Sequence, residues 1–259
     1  MKTKTQHMYR YFIKSLIILL ACSSIVFAQD ETQETATDTI IYKQKYGLRL
    51  GADISKLARS FFDDDYQGFE VNADYRLTQR LYISGELGNE ERTITNNVFN
   101  STSKGSYFKA GIDYNLYSNW LDMENMIYSG FRAGVSSFSQ TLNSGTIYDI
   151  NNQYFGNQQP ITSPQEFDGL SAIWGELILG IKAEVLNNLF MGLNLQLKFL
   201  VTENSPSNFE NLYIPGFNRT YDSGGIGAGF GYNISYLIPI YKKAKPIKKE
   251  EELEIEEEN

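Results

Sequence analysis

The chain has 259 residues, a formal net charge of −8 and 14% aromatic residues. The acidic balance argues against nucleic acid as a partner. One Cys and one His leave no disulfide framework and none of the usual zinc ligand sets.

The first element is an export signal. Lys2, Lys4, Arg10 and Lys14 form a basic start, Leu16 to Val26 is apolar, and Val26-Phe27-Ala28 offers a small-residue cleavage site before Gln29. The alternative is a lipoprotein signal ending at Cys22, after Leu19-Leu20-Ala21; the apolar Ile25 to Ala28 that follows fits a polar tether poorly. Cleavage after Ala28 removes both His7 and Cys22, and with them any His base or Cys nucleophile. Residues 1–28 hold four basic residues and no acidic ones, so 19 basic residues then face 31 acidic ones, a charge of −12. No later segment is apolar for long enough to cross a bilayer as a helix. Residues 29–42, acidic and Thr-rich, read as a flexible leader.

From residue 43 the pattern changes to period two, the strand period. Eight such runs follow: about 46–54, 69–77, 81–88, 108–116, 127–138, 173–185, 189–201 and 224–243. In the seventh, Leu189, Met191, Leu193, Leu195, Leu197, Phe199 and Val201 alternate with Gly192, Asn194, Gln196 and Lys198. In the last, Ile226, Ala228, Phe230, Tyr232, Ile234 and Tyr236 alternate with Gly227, Gly229, Gly231, Asn233 and Ser235, a spacing that fits no dinucleotide-binding loop. Tight links at 78–80 and 186–188 and a moderate one at 117–126 face long links at about 55–68, 89–106, 139–171 and 202–223.

Strands of this length, with short turns at one end and long polar loops at the other, predict an all-β fold: an eight-stranded antiparallel transmembrane up-and-down β-barrel with long extracellular loops, spanning 43–241. The apolar phase then faces lipid. Tyr46, Tyr75, Tyr114 and Tyr236 fall at one rim, and Phe69, Phe108 and Phe199 at the other. The polar phase faces a narrow interior that side chains nearly fill, where small residues on the last strand leave room for long ones such as Arg49 and Lys198. A soluble up-and-down barrel would put the apolar phase inside instead. Residues 242–259 turn basic and then acidic, and read as a charged periplasmic tail.

The polar phase carries Arg49, Arg76, Lys109, Arg132, Lys182 and Lys198 together with Asp53, Glu70, Asp74, Glu86, Asp113, Glu176 and Glu184. Unpaired charges buried there are costly, so the near-equal numbers predict a paired network. The long loops carry Phe61, Phe62, Phe99, Tyr148, Tyr154, Phe155, Phe167, Phe209, Tyr213 and Phe217, read either as partner contacts or as a cap of loops packed on one another. Asp63, Asp65, Gln67 and Gly68, with Asp74, only partly match a calcium loop, and a solvated loop is the better reading. Glu176 and Glu184 lie too far apart along one strand for paired acid–base work, and no other catalytic set stands out. No cofactor and no enzymatic activity are expected.

From Lys43 to Lys243, ending in Ile234-Ser235-Tyr236-Leu237-Ile238-Pro239-Ile240-Tyr241-Lys242-Lys243, the chain resembles small outer-membrane β-barrels of Gram-negative bacteria, in particular a porin-like family of unknown function. The resemblance implies an outer-membrane location with both termini in the periplasm. It also implies contact with membrane lipid and lipopolysaccharide, and membership of the passive anchors, adhesins or accessory subunits of such membranes. Two classes of role remain open: a structural or interaction subunit touching other outer-membrane or periplasmic proteins, and a narrow or gated transport module. An exported soluble binding barrel is a third reading.

Overall fold

A computed structural model describes residues 43–96, 99–117, 124–146, 160–161, 163–206, 210–219 and 225–244. The expected signal, the leader and the tail beyond Ala244 lie outside the described residues. The chain forms β1 (Lys43–Asp53), α1 (Ile54–Phe62), β2 (Tyr66–Arg76), β3 (Leu81–Thr95), β4 (Phe99–Asn115), β5 (Met126–Thr146), β6 (Pro160–Ile161), β7 (Gln165–Leu186), β8 (Leu189–Glu203), β9 (Tyr213–Ile214), β10 (Asn218–Arg219) and β11 (Ile226–Ala244).

Eight of these strands pair in the order β4-β3-β2-β1-β11-β8-β7-β5, and β4 pairs with β5 to close the ring. Every pairing is antiparallel. Both described ends sit side by side, Lys43 opposite Ala244. Closure leaves no open edge where strands overlap, the condition for a stable sheet without a covering layer.

The two phases separate as the alternation requires. Leu179, Leu195 and Phe230 are each more than 60% exposed on the outside, while Lys109, Asp113 and Glu176 on the inside are at most 1% exposed. A water-soluble barrel has the opposite distribution. Phe69, Phe108, Phe199, Tyr114 and Tyr236 all lie on the exposed face. Tyr46 does not. The register between β1 and β11 shifts between Tyr46 and Gly47, which breaks the alternation. Tyr46 is buried, stacked on Tyr241 with the Arg76 guanidinium over its ring.

The strands outrun their sequence signal at the long-loop end. The stretch 89–106, expected as a link, instead carries β3 on to Thr95 and begins β4 at Phe99. β5 and β7 likewise reach Thr146 and Gln165. Polar and charged residues make up most of these extensions, so the apolar alternation fades while the ladder hydrogen bonds continue. The link expected at 55–68 holds α1. Asp53 caps this helix, accepting from the Ser55 and Lys56 amides.

Glycines on the inward phase set how closely large side chains approach the wall. A Cβ on Gly134 would lie 2.3 Å from the Trp174 ring. Gly134→Val is therefore expected to destabilise the barrel by about 1–3 kcal/mol, read as a lower urea midpoint for unfolding from lipid vesicles.

Candidate functional site: a charged interior closed by an inward hairpin

The inward phase stacks its charges in tiers along the barrel. At the short-turn end Arg76 pairs with Glu124 at 2.7 Å and Lys45 with Glu184 at 3.2 Å. Arg76 also donates to the carbonyls of Thr78 and Gln79, tying down the β2–β3 turn. Lys45 donates to the side chains of Asn187 and Asn188, in the turn where Asn188 adopts φ 64°.

Above this, Asp74 accepts from Arg49 at 2.9 Å and from Lys182 at 2.6 Å. The Arg49 guanidinium lies 4.6 Å over the Phe190 ring. Next comes Asp113, 2.8 Å from Arg132, 4.0 Å from Lys182 and accepting from Ser84. Arg132 reaches Glu86 at 3.4 Å. Glu86 pairs with Lys109 at 2.5 Å, and Lys109 also faces Glu70 at 3.3 Å and Glu176 at 3.8 Å. Lys198 lies 3.6 Å from Glu176, which accepts from the Trp174 indole at 2.7 Å.

These contacts form one continuous ladder from Arg49 to Lys198. Of the thirteen interior charges expected from sequence, twelve, Arg49, Glu70, Asp74, Arg76, Glu86, Lys109, Asp113, Arg132, Glu176, Lys182, Glu184 and Lys198, sit inside the barrel and make ion pairs; the thirteenth, Asp53, is buried as the cap of α1 instead. A cavity of about 20 Å³ among Asp74, Glu86, Arg132 and Lys182 is the size of about one water molecule.

Four further charged partners lay outside that set. Lys56 reaches inward from α1 to Glu70 at 3.0 Å and Glu90 at 2.5 Å. Glu90 also accepts from Tyr66, from Tyr213 and from the Gly216 amide. Lys45 and Glu124 complete the short-turn tier. Lys45 and Glu90 each sit on the inward phase of a strand whose sequence signal stops short of them, whereas Lys56 and Glu124 come from links.

The segment that places Tyr213 and Gly216 folds back into the mouth. β9 and β10 form a small hairpin around Gly216, whose φ of 83° suits glycine. A Cβ on Gly216 would also meet the Tyr107 ring at 2.5 Å. The Gly216 carbonyl accepts from Lys198 at 2.6 Å. Ile214 and Phe217 then pack with Tyr107, Phe138, Leu170, Ala172 and Trp174. Gly227 and Gly229 of β11 make the room: a Cβ on Gly227 would lie 3.1 Å from Phe217, and one on Gly229 3.2 Å from Lys198. Burial beside the Glu90 carboxylate pushes the Tyr213 phenol well above its ordinary pKa, so it stays a hydrogen-bond donor.

Of the loop aromatics, Tyr213 and Phe217 are thus buried in the mouth and unavailable to a partner. The apolar cluster on the walls of β4, β5 and β7 draws them inward. Phe167 packs partly buried against the same cluster. Phe61 and Phe62 are 77% and 81% exposed. Tyr148, Tyr154, Phe155 and Phe209 lie outside the described residues.

A cleft of about 710 Å³ opens between α1, the far end of β3 and β11, with Lys56, Arg59, Arg92 and Phe230 in its lining. Asp63 at its edge pairs with both Arg59 and Arg92. Asp74 is held by Arg49 and Lys182 inside the barrel, away from the Asp63–Asp65 loop, so these acids do not converge as calcium ligands. Glu176 and Glu184 belong to different tiers, with different cationic partners.

Lys109→Met leaves Glu70, Glu86 and Glu176 facing one another with less counter-charge. It is expected to cost about 3–5 kcal/mol, read from urea unfolding in vesicles. Asp63 supplies a pH signature. Slight burial pushes its carboxyl up, but hydrogen bonds from Arg92 and Arg59 outweigh it and hold the pKa below its ordinary value. A depressed folded pKa stabilises the fold above the unfolded value and stops doing so as pH falls through the folded one. Wild type should therefore melt above Asp63→Asn at neutral pH, and the gap should close as pH drops below about 4.

A search of curated proteins finds no match to the chain. Among solved structures, Ail, the attachment invasion locus protein of Yersinia pestis, is similar to it with a TM-score of 0.36 and 10% sequence identity, over 75% of this chain and 95% of that one. Likeness at that level supports neither the fold nor a function. The model of the family described as Domain of unknown function (DUF6048) matches residues 8–243, and the chain belongs to that family.

Proposed function

We propose that this chain is a non-enzymatic integral barrel of the bacterial outer membrane that serves as a structural or interaction subunit of an outer-membrane assembly. The observation that carries this reading is the pairing of an apolar exterior with an interior filled by linked ion pairs. Exposed Leu, Ile, Val and Phe side chains ring the outside, which suits acyl chains as solvent. The ladder and the inward hairpin take up the space a transport path would use.

Both described termini lie at the short-turn end, which in this reading is periplasmic. Lys43 and Ala244, the ends that adjoin the expected leader and charged tail, are then on the side of a periplasmic partner. At the opposite end β3, β4, β5 and β7 continue paired beyond their apolar alternation and offer a polar, hydrogen-bonded wall to other surface proteins.

Native purification from outer membranes tests the role, with an affinity tag in the 147–159 link and a mild detergent. The expected result is a species larger than the monomer that holds a companion protein in fixed proportion. A lone barrel of monomer size, with chemical cross-linking before extraction giving the same, would overturn the subunit role.

A further inference from the structure

The barrel wall is uneven. β1 stops at Asp53, opposite Asn233, while its neighbour β11 continues to Ile226. On the other side, the last β1–β2 pair is Ala52 with Val71, so the stretch of β2 from Tyr66 to Glu70 has no β1 partner. Two strand edges therefore flank a notch above β1. Backbone groups at an open edge are tolerated in a membrane only when protein or water meets them.

α1 fills the notch. The Ser60 hydroxyl accepts from the Gly68 amide at 2.8 Å and lies 3.1 Å from the Gly68 carbonyl, so the helix caps the β2 edge that β1 leaves bare. Lys56 on the same face passes inward to Glu70 and Glu90. Lys56 and Ser60 thus anchor the polar face of the helix against the barrel.

The opposite face is apolar and uncovered. Leu57, Phe61 and Phe62 are exposed, and no residue of the helix is fully buried. A helix on a soluble protein turns its apolar stripe to the core; this one turns it away. The strands on either side carry exposed aromatics on the same outer surface, Phe69 on β2 and Phe230 on β11. The apolar face of α1 continues that surface across the notch.

We infer that α1 is a lipid-contacting segment of the barrel wall, with Phe61 and Phe62 set among the acyl chains of the outer leaflet. The inference rests on the membrane reading above. The occupant is lipid because the helix face is continuous with the apolar belt and carries the same kind of side chain. Interfacial helices bind bilayers in this way, with aromatic and Leu residues on the immersed face. The ion pairs of Lys56 then act as the inner fixing of a helical panel in a wall otherwise made of strands.

Site-directed fluorescence tests this. With Cys22→Ser the full chain has no cysteine. Phe61→Cys and Phe62→Cys are made singly on that background, and neither removes a buried side chain. Phe230→Cys serves as the belt reference and Asp64→Cys as the solvent reference. Each is labelled with a small fluorophore in phosphatidylcholine vesicles containing acyl-brominated lipid. The inference predicts that brominated lipid quenches emission at 61 and 62 to an extent close to that at 230, with little effect of iodide in the water. If 230 is quenched by lipid while 61 and 62 respond to iodide as 64 does, α1 faces water and the inference fails while the membrane barrel stands. If 230 also responds only to iodide, the membrane reading fails, and the inference with it.

Discussion

A charged side chain that leaves water inside a narrow barrel must find an opposite charge there, because burying it unpaired costs more than its packing returns. That constraint organises the molecule. Asp74 takes both Arg49 and Lys182, Asp113 takes Arg132, and Lys109 stands among three carboxylates. Some pairs join adjacent strands, as Glu86 with Lys109, while others reach further: Lys109 of β4 meets Glu176 of β7 past β5, and Lys182 of β7 meets Asp74 of β2 on the opposite side of the ring. The ladder hydrogen bonds set neighbour against neighbour, and the longer ion pairs add ties across the lumen. Removing one member leaves its partners desolvated and unpaired, which is why such networks tolerate loss poorly.

The same constraint explains the mouth. Glu90 lies at the top of the ladder, and it meets Lys56, Tyr66, Tyr213 and the Gly216 amide. Two of these come from a hairpin that folds in from the β8–β11 link, and one from a helix set in the wall. A buried carboxylate surrounded by donors is stable only with those segments in place. The outer closure is thus built around one acid, and the apolar cluster of Trp174, Phe217 and Ile214 packs beside it.

Much of this was legible in the alternation. Period two gave the strand positions, and the inner phase gave the charges, because a barrel strand has only two faces and their solvents differ. The signal failed where that difference vanishes. Beyond Gly88 both faces of β3 carry polar residues, so Glu90 was not recognisable as an interior acid. Tyr213 and Phe217 were legible as aromatic loop residues but not as buried ones, because the wall that attracts them, around Tyr107 and Trp174, is far away in sequence. Lys56 sits in a link with a helical period of its own, and only the early end of β1 brings it to the lumen. Tyr46 was misplaced by a register shift that no local pattern marks.

In the function proposed above, paired charges and the inward hairpin close the barrel to ions. Planar-bilayer conductance of the purified, vesicle-reconstituted protein tests it most directly. Wild type is expected to leave the bilayer at its baseline under applied voltage. Stable, reproducible conductance steps from wild-type protein would contradict it, since they require a continuous water path where the structure places Lys109, Arg132 and their carboxylates.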